Sequence, residues 1–369
     1  MVQGGKAQAP PKDATAALIQ RFDNTVPAFV EAELDRLYGN TYSSLLQLET
    51  YGGLDSDTST YVVRRNEAIV QILLFRICRD RVQVLNEGLK LSSAEIARFC
   101  AYIFAEYRAV NVIVFHAIET DAQRLGYPFQ RFNCLEDIAM ALPPTVTDYL
   151  ASLGKNTRRN IKRYMDRLKK TFPSFHFEAF ERDAVDERHV RAVIECNRSR
   201  MAAKQKVSDI DEAETRRIVR MVKACGMVCI LSIDGRMCGG TISYRTGDNY
   251  FLYVLAHDPQ YDGYWIGILS CYLTICECIR RGGREFHFLW GRYDYKFTLG
   301  ASQRNLDHVT VYRSRAQLLL NMKTAMGAAY RGYKRRATVW LRYDVLEKNK
   351  VASSLIRYLV RSMRPPVVG

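Results

Sequence analysis

Asp294, Tyr295 and Lys296 place a carboxylate, a phenol and an amine in three consecutive positions. Together such groups could accept a proton, donate one and hold an anion. They follow Glu285–Trp290, an apolar run that reads as a buried strand, so the triplet falls at the edge of a sheet where a site could form. The competing reading is a tight turn with solvated charges, in which Asp294 pairs with Lys296 or Arg304 and Tyr295 is half-buried.

The elements that must position the triplet lie upstream. Met227–Ile233 and Cys238–Thr246 read as strands joined by the turn Asp234-Gly235. A third strand, Tyr250–Ala256, follows Gly247-Asp248-Asn249 and leads into the polar loop His257–Trp265. Ile268, Leu269, Tyr272, Leu273, Ile275, Cys276 and Ile279 then recur at helical spacing. Arg280 and Arg281 suit the C-terminal end of that helix, and Gly282-Gly283 permit a left-handed cap. A helix opening out of a loop after a central strand offers unpaired backbone N–H groups to a pyrophosphate or carboxylate. Gly263 and Gly267 would let such a ligand approach the backbone, although two glycines four apart are common at helix starts.

Three segments, in order, resemble the GNAT superfamily of acyltransferases, and within it the CelD-type and FemAB-type branch. Tyr149–Arg163, with its Leu-Gly-Lys start and following arginines, is similar to the branch's basic helix start. His257-Asp258-Pro259 through Leu269 is similar to its strand, loop and donor-binding helix, and Gly291–Arg304 to its glycine, Tyr-Lys and later arginine. Ile266 stands where many relatives carry proline, and Arg292-Tyr293 replace more acidic residues. The resemblance covers Leu150 to about Arg313. It implies an α/β, tandem GNAT-like fold with mixed central sheets flanked by helices, here extended by a basic helical C-terminus.

It also implies a reaction, the attack of an amine on a thioester or ester carbonyl. An alkyl amine with a pKa near 10.4 is almost wholly protonated at neutral pH, so freeing its lone pair costs roughly 4–5 kcal/mol. A positioned base is therefore useful. Asp294 is the leading candidate and His257 the second, with Tyr295 protonating the leaving group and Lys296 holding an anionic part of donor or acceptor. Donor contacts are expected at Tyr253, Val254, Leu255, Tyr261, Gly263, Ile266, Gly267 and Ile268. Anion or acceptor contacts are expected at Lys155, Arg158, Arg159, Arg200 and Arg304. The donor would be acyl-CoA or an acyl-phosphopantetheine carrier protein, and no metal is expected.

The chain has 369 residues, 48% of them hydrophobic, enough for two ordinary cores. A helix after Val26-Pro27 carries Phe29, Val30, Leu34 and Leu37 on one side. Ile69–Arg76 and Val82–Asn86 read as a hairpin, Ser92 and Glu95 as a capping box for a helix to about Tyr107, and Val110–Phe115 as the next strand. Residues 21–142 are thus expected to form a degenerate GNAT-like domain and 143–314 the acyltransferase domain. Residues 1–20 read as a disordered tail and 315–369 as the basic extension.

Of a net charge of +15, residues 154–170 carry +7 and residues 313–369 carry +11, so the remainder is slightly acidic. Concentrated charge of this kind points to an anionic partner: a phosphopantetheine donor, an acidic carrier protein, tRNA or an anionic membrane surface. In the C-terminal stretch bases alternate with apolar residues, which fits either a docked helix with a solvated basic side or a helix lying on a membrane. The ten cysteines fall mostly within apolar elements and form no paired metal-ligand motif. With no signal peptide and no apolar run near 18 residues, a cytoplasmic protein is expected, peripheral at most to the inner membrane face. An N-acyltransferase acting on a peptide, sugar or small-metabolite amine is the first reading. An aminoacyl-tRNA-dependent transferase and a non-catalytic polyanion- or membrane-binding module are the alternatives.

Overall fold

The described residues begin with β1 (Leu18–Phe22), β2 (Thr58–Arg65), β3 (Ala68–Cys78) and β4 (Arg81–Val84), with helices α1 (Phe29–Tyr38) and α2 (Leu45–Thr50) after β1. Next come α3 (Ser93–Glu106), β5 (Val112–Ile118), β6 (Phe129–Ala141), α4 (Val146–Ser152) and α5 (Lys155–Thr171). β7 (His176–Glu181), α6 (Glu187–Ala203), α7 (Glu212–Cys225), β8 (Gly226–Ile233), β9 (Arg236–Thr246) and β10 (Asn249–His257) follow. The chain continues through α8 (Ile266–Arg280), β11 (Glu285–His287), α9 (Asp294–Thr298), β12 (Ser302–Tyr312), α10 (Arg315–Leu320) and α11 (Met322–Val339). This computed structural model describes residues 17–203 and 205–341. Residues 17–78, 82–89 and 137–304 belong to one unit, and 79–81, 90–136 and 305–341 to a second.

The first unit contains the run β6-β11-β10-β9-β8-β7, in which β10 and β11 are parallel and the other neighbours antiparallel. A parallel pair requires a crossover, which α8 supplies. Successive residues of a strand point to opposite faces, so β8 serves two cores. Met227, Cys229 and Leu231 face Tyr149, Ile161, Leu269 and Ile275 from α4, α5 and α8. Val228, with Ile242 and Phe251, faces Val193, Ile194, Ile218 and Val222 from α6 and α7. In the same unit, Val30 and Leu34 of α1 pack on Val62, Ile72 and Leu74 of β2 and β3. The mixed α/β class implied by the sequence is the one observed.

In the second unit β5 and β12 pair antiparallel. Ser92 and Glu95 close the expected capping box on α3. The Arg313 guanidinium gathers the carbonyls of Phe104, Tyr107 and Val110, fixing the end of β12 on the segment after α3.

The structure differs from the sequence reading in three places. Leu18–Gln20, read as part of a tail, pair with β2 as strand β1, while residues 1–16 lie outside the described residues. The strand read over Glu285–Trp290 ends at His287, because Leu289 adopts a left-handed φ of 58° that no strand sustains. The Asp-Tyr-Lys triplet forms a short helix rather than a turn. Residues 342–369 of the C-terminal extension lie outside the described residues. Among the described residues no helix is long and apolar enough to cross a membrane.

A candidate active site where two parallel strands part

β10 and β11 remain paired only from Asn249↔Glu285 to Phe251↔His287. Beyond that point β10 runs on for six residues, while the chain after β11 turns to β6: Phe288 N–H donates to the Ile138 carbonyl at 2.7 Å, and Ile138 N–H to that of Leu289 at 3.2 Å. β10 also steps in register against β9 between Leu252 and Val254, which leaves Tyr253 at a bulge. Parted strands and a bulge leave room between them. A cavity of about 620 Å³ lies here, with apolar walls from Leu252, Val254, Leu255, Ile268, Phe288 and Leu289.

The triplet divides its roles across this cavity. Lys296 is 3% exposed, and its Nζ donates to the carbonyls of Phe288 (2.8 Å), Leu289 (3.4 Å) and Trp290 (2.7 Å). Three ammonium hydrogens meet three carbonyls, so Lys296 holds the strained loop in place rather than waiting as the expected anion clamp. Tyr295 lines the cavity, and burial raises its phenol pKa, with nearby Arg200 acting in the opposite sense. A phenol so placed stays protonated and can act as a donor. Asp294 is exposed on the first turn of α9, is not among the cavity-lining residues and has no ion pair among the described residues.

His257 ends β10 and lines the cavity, with Nε2 3.0 Å from Asp262 Oδ1. Its ring occupies the space above Gly267, where an added Cβ would lie 2.8 Å from Nδ1. The glycine expected to admit a ligand therefore admits His257. Gly263 has open space above it, and its carbonyl accepts from Arg167 at 3.4 Å. Trp265 begins α8 with φ 58° and stacks on Tyr164 of α5 at 4.8 Å. Tyr261 packs edge-on to Phe172 at 5.6 Å, outside the cavity lining. Ile266 is fully buried in the core rather than lining the cavity. The Tyr253 ring lines the cavity, while its hydroxyl donates to Glu214 at 2.6 Å and so does that of Tyr51 at 2.7 Å.

Only one of the five expected anion contacts reaches the cavity. Arg200 of α6 lines it, with Nε buried and lacking a hydrogen-bond partner among the described residues. Arg304 instead forms a two-pronged pair with Glu285 at 2.6 and 3.0 Å. Glu285 lies 3.3 Å from His287 Nε2, whose Nδ1 is 2.7 Å from Asp137. This network sits at the last paired register, with His287 stacked on Phe251 at 4.3 Å. Burial opposes the imidazolium charge, but the flanking carboxylates outweigh it and raise the His287 pKa. Lys155, Arg158 and Arg159 are exposed near the start of α5, and Arg158 donates to the Ala151 carbonyl at 2.7 Å. Several cavity residues were not among the expected site residues, the polar and aromatic ones being Asn197, Lys206, Trp290 and Tyr293, with Phe288 among the apolar walls. Asn197 had a local signal, being a polar residue at a helical core position; its side chain donates to the Leu255 carbonyl at 3.4 Å.

Residues 155–297, from the start of α5 through α9, match the family described as Acetyltransferase (GNAT) domain. The match includes the parted strands, α8 and Lys296. No curated protein matches the sequence. Among solved structures, FemX is 9% identical, covers 82% of this chain and 99% of its own, and gives a TM-score of 0.58. A conserved protein of unknown function from Bacteroides thetaiotaomicron is 11% identical, with 80% and 100% coverage and a TM-score of 0.49. L-PGS from Bacillus licheniformis is 13% identical, with 71% and 86% coverage and a TM-score of 0.42. The likeness to FemX is one of fold. The family match over 155–297 and the FemX-like fold agree with the resemblance seen in the sequence.

Proposed function

We propose that this GNAT domain transfers an acyl group from an acyl-CoA or acyl-phosphopantetheine thioester to an amine, at the cavity between β10 and the loop after β11. The observation that carries this reading is the apolar space opened by the parting strands, with a histidine, a protonated phenol and a cation around it. The thioester arm would run along Tyr253, Val254 and Leu255 of β10, which line the cavity. His257, oriented by Asp262, would take the proton of the incoming ammonium. The amine nitrogen bonds to the carbonyl carbon, the carbon–sulfur bond breaks, and Tyr295 gives its proton to the departing thiolate. The nitrogen's second proton passes to the Tyr295 phenolate, which restores the phenol and leaves a neutral amide. Arg200 would hold a carboxylate or phosphate of the acceptor, because its side chain lines the cavity beside Tyr295.

A second reading has an aminoacyl-tRNA as donor. It is favoured by the exposed cations Lys155, Arg159, Lys162 and Arg163 on α5, a face suited to a polyanion. A non-catalytic binding module is the third. Amine-dependent release of free thiol from a panel of acyl-CoAs tests the first reading. His257→Gln and Tyr295→Phe should each lower the rate by about a hundredfold or more. No thiol release with any donor–acceptor pair, together with aminoacyl transfer from charged tRNA, would replace the first reading by the second.

A further inference from the structure

We infer that α10 and α11 form a surface that lies on an anionic lipid bilayer. One face of α11 is committed within its own unit. Ala325 is buried with Val112 and Tyr312, a Cβ at Gly332 would lie 2.7 Å from the Phe132 side chain, and Arg335 pairs with Glu136. With the buried Ala328, those positions recur every three or four residues, so they define the docked side of the helix.

The opposite side has the same period and carries Met322, Met326, Tyr330 and Tyr333, flanked by Leu319 of α10 and by Trp340 at the end of α11. Each is between 53% and 74% exposed. An apolar stripe of this length in solvent marks an interaction surface.

The charge around it selects the occupant. From Arg313 to Val339 there is no acidic residue. Arg315, Lys323, Arg331, Lys334 and Arg336 are exposed beside the stripe. A helical protein partner is normally matched by flanking charges of both signs, which this surface lacks. A nucleic acid leaves Leu319, Met322 and Met326 unexplained. A bilayer with anionic headgroups satisfies both features: the leucines and methionines enter the acyl boundary, tyrosine and tryptophan sit at headgroup level, and the cations meet lipid phosphates. This inference does not depend on the catalytic reading.

The test is flotation of the full chain with phosphatidylcholine vesicles, with and without about 30 mol% phosphatidylglycerol. Binding is expected only with the anionic lipid and should weaken as salt is raised. The combined change Met326→Glu, Tyr330→Glu and Tyr333→Glu should reduce the bound fraction about tenfold without moving the melting temperature, since all three side chains are exposed. Lys323→Glu with Lys334→Glu should do the same. Failure to float with anionic vesicles, or flotation that neither variant weakens, overturns the inference. So does binding that emerges only after truncation behind Leu341, which would mean that residues 342–369 cover the stripe. A concentration-dependent dimer abolished by the triple change would assign the surface to a second copy instead.

Discussion

At Asp294, Tyr295 and Lys296 the sequence placed three functional groups side by side, and the fold separates them. A short helix turns consecutive side chains to different sides, so Tyr295 lines the cavity, Lys296 turns into the loop carbonyls and Asp294 faces solvent. Residue identity was legible; direction was not, because it depends on the left-handed residue Leu289 and on the glycine after Trp290. Asp294→Asn is accordingly expected to leave the transfer rate within about twofold, while His257→Gln lowers it by about a hundredfold or more. Steady-state kinetics on both variants distinguish the two bases directly. Arg200 was legible as a cation but not as the one that reaches the cavity, because that follows from how α6 packs over Val254 and Ala256. Arg200→Gln should raise KM for anionic amine acceptors by about tenfold or more, with little change for neutral ones. A uniform loss for both acceptor types would place Arg200 on the donor instead.

At the scale of elements, the strands and helix from Met227 to Arg281 were readable because turns and apolar period agreed at every boundary. What escaped was the parting of β10 and β11, since divergence leaves no periodic mark and rests on Lys296 holding three carbonyls from one loop. Replacing Lys296 by Met keeps the stem but strands those carbonyls, and chemical denaturation should register a loss of about 2–3 kcal/mol. Were Lys296 mainly a ligand clamp, stability would hold and only KM would rise. The Arg304–Glu285–His287–Asp137 network at the same point gives stability a pH dependence. His287 has a raised folded pKa, so its contribution is complete below its ordinary value of 6.5 and is lost as pH climbs through the folded value. Glu285 is depressed, first by its bond to His287 and also by Arg304, so its contribution holds above its ordinary 4.5 and is lost as pH falls through the folded value. Melting temperature should therefore decline on both sides of that window, and His287→Gln should flatten the alkaline decline. An unchanged alkaline limb would show that the network carries no linked proton.

For the whole molecule, the sequence conveyed fold class and charge placement better than topology. β1, β2, β6, β7 and β12 escaped the sequence reading. For β6 and β12 the pairings join segments far apart in sequence, such as β6 with β11 across more than a hundred residues, and no local pattern records them. The charge resolves into surfaces with different surroundings: exposed cations on α5 near the start of the GNAT domain, and a basic, apolar-striped helix in the other unit. Fold alone leaves the donor open. The most direct measurement is therefore native mass spectrometry of the full chain titrated separately with acyl-CoA and with tRNA. Saturable one-to-one retention of the thioester is expected, surviving Asp294→Asn and persisting at salt that strips tRNA. Retention of tRNA with no thioester bound at any concentration would contradict the assignment of the β10–β11 cavity to an acyl-thioester.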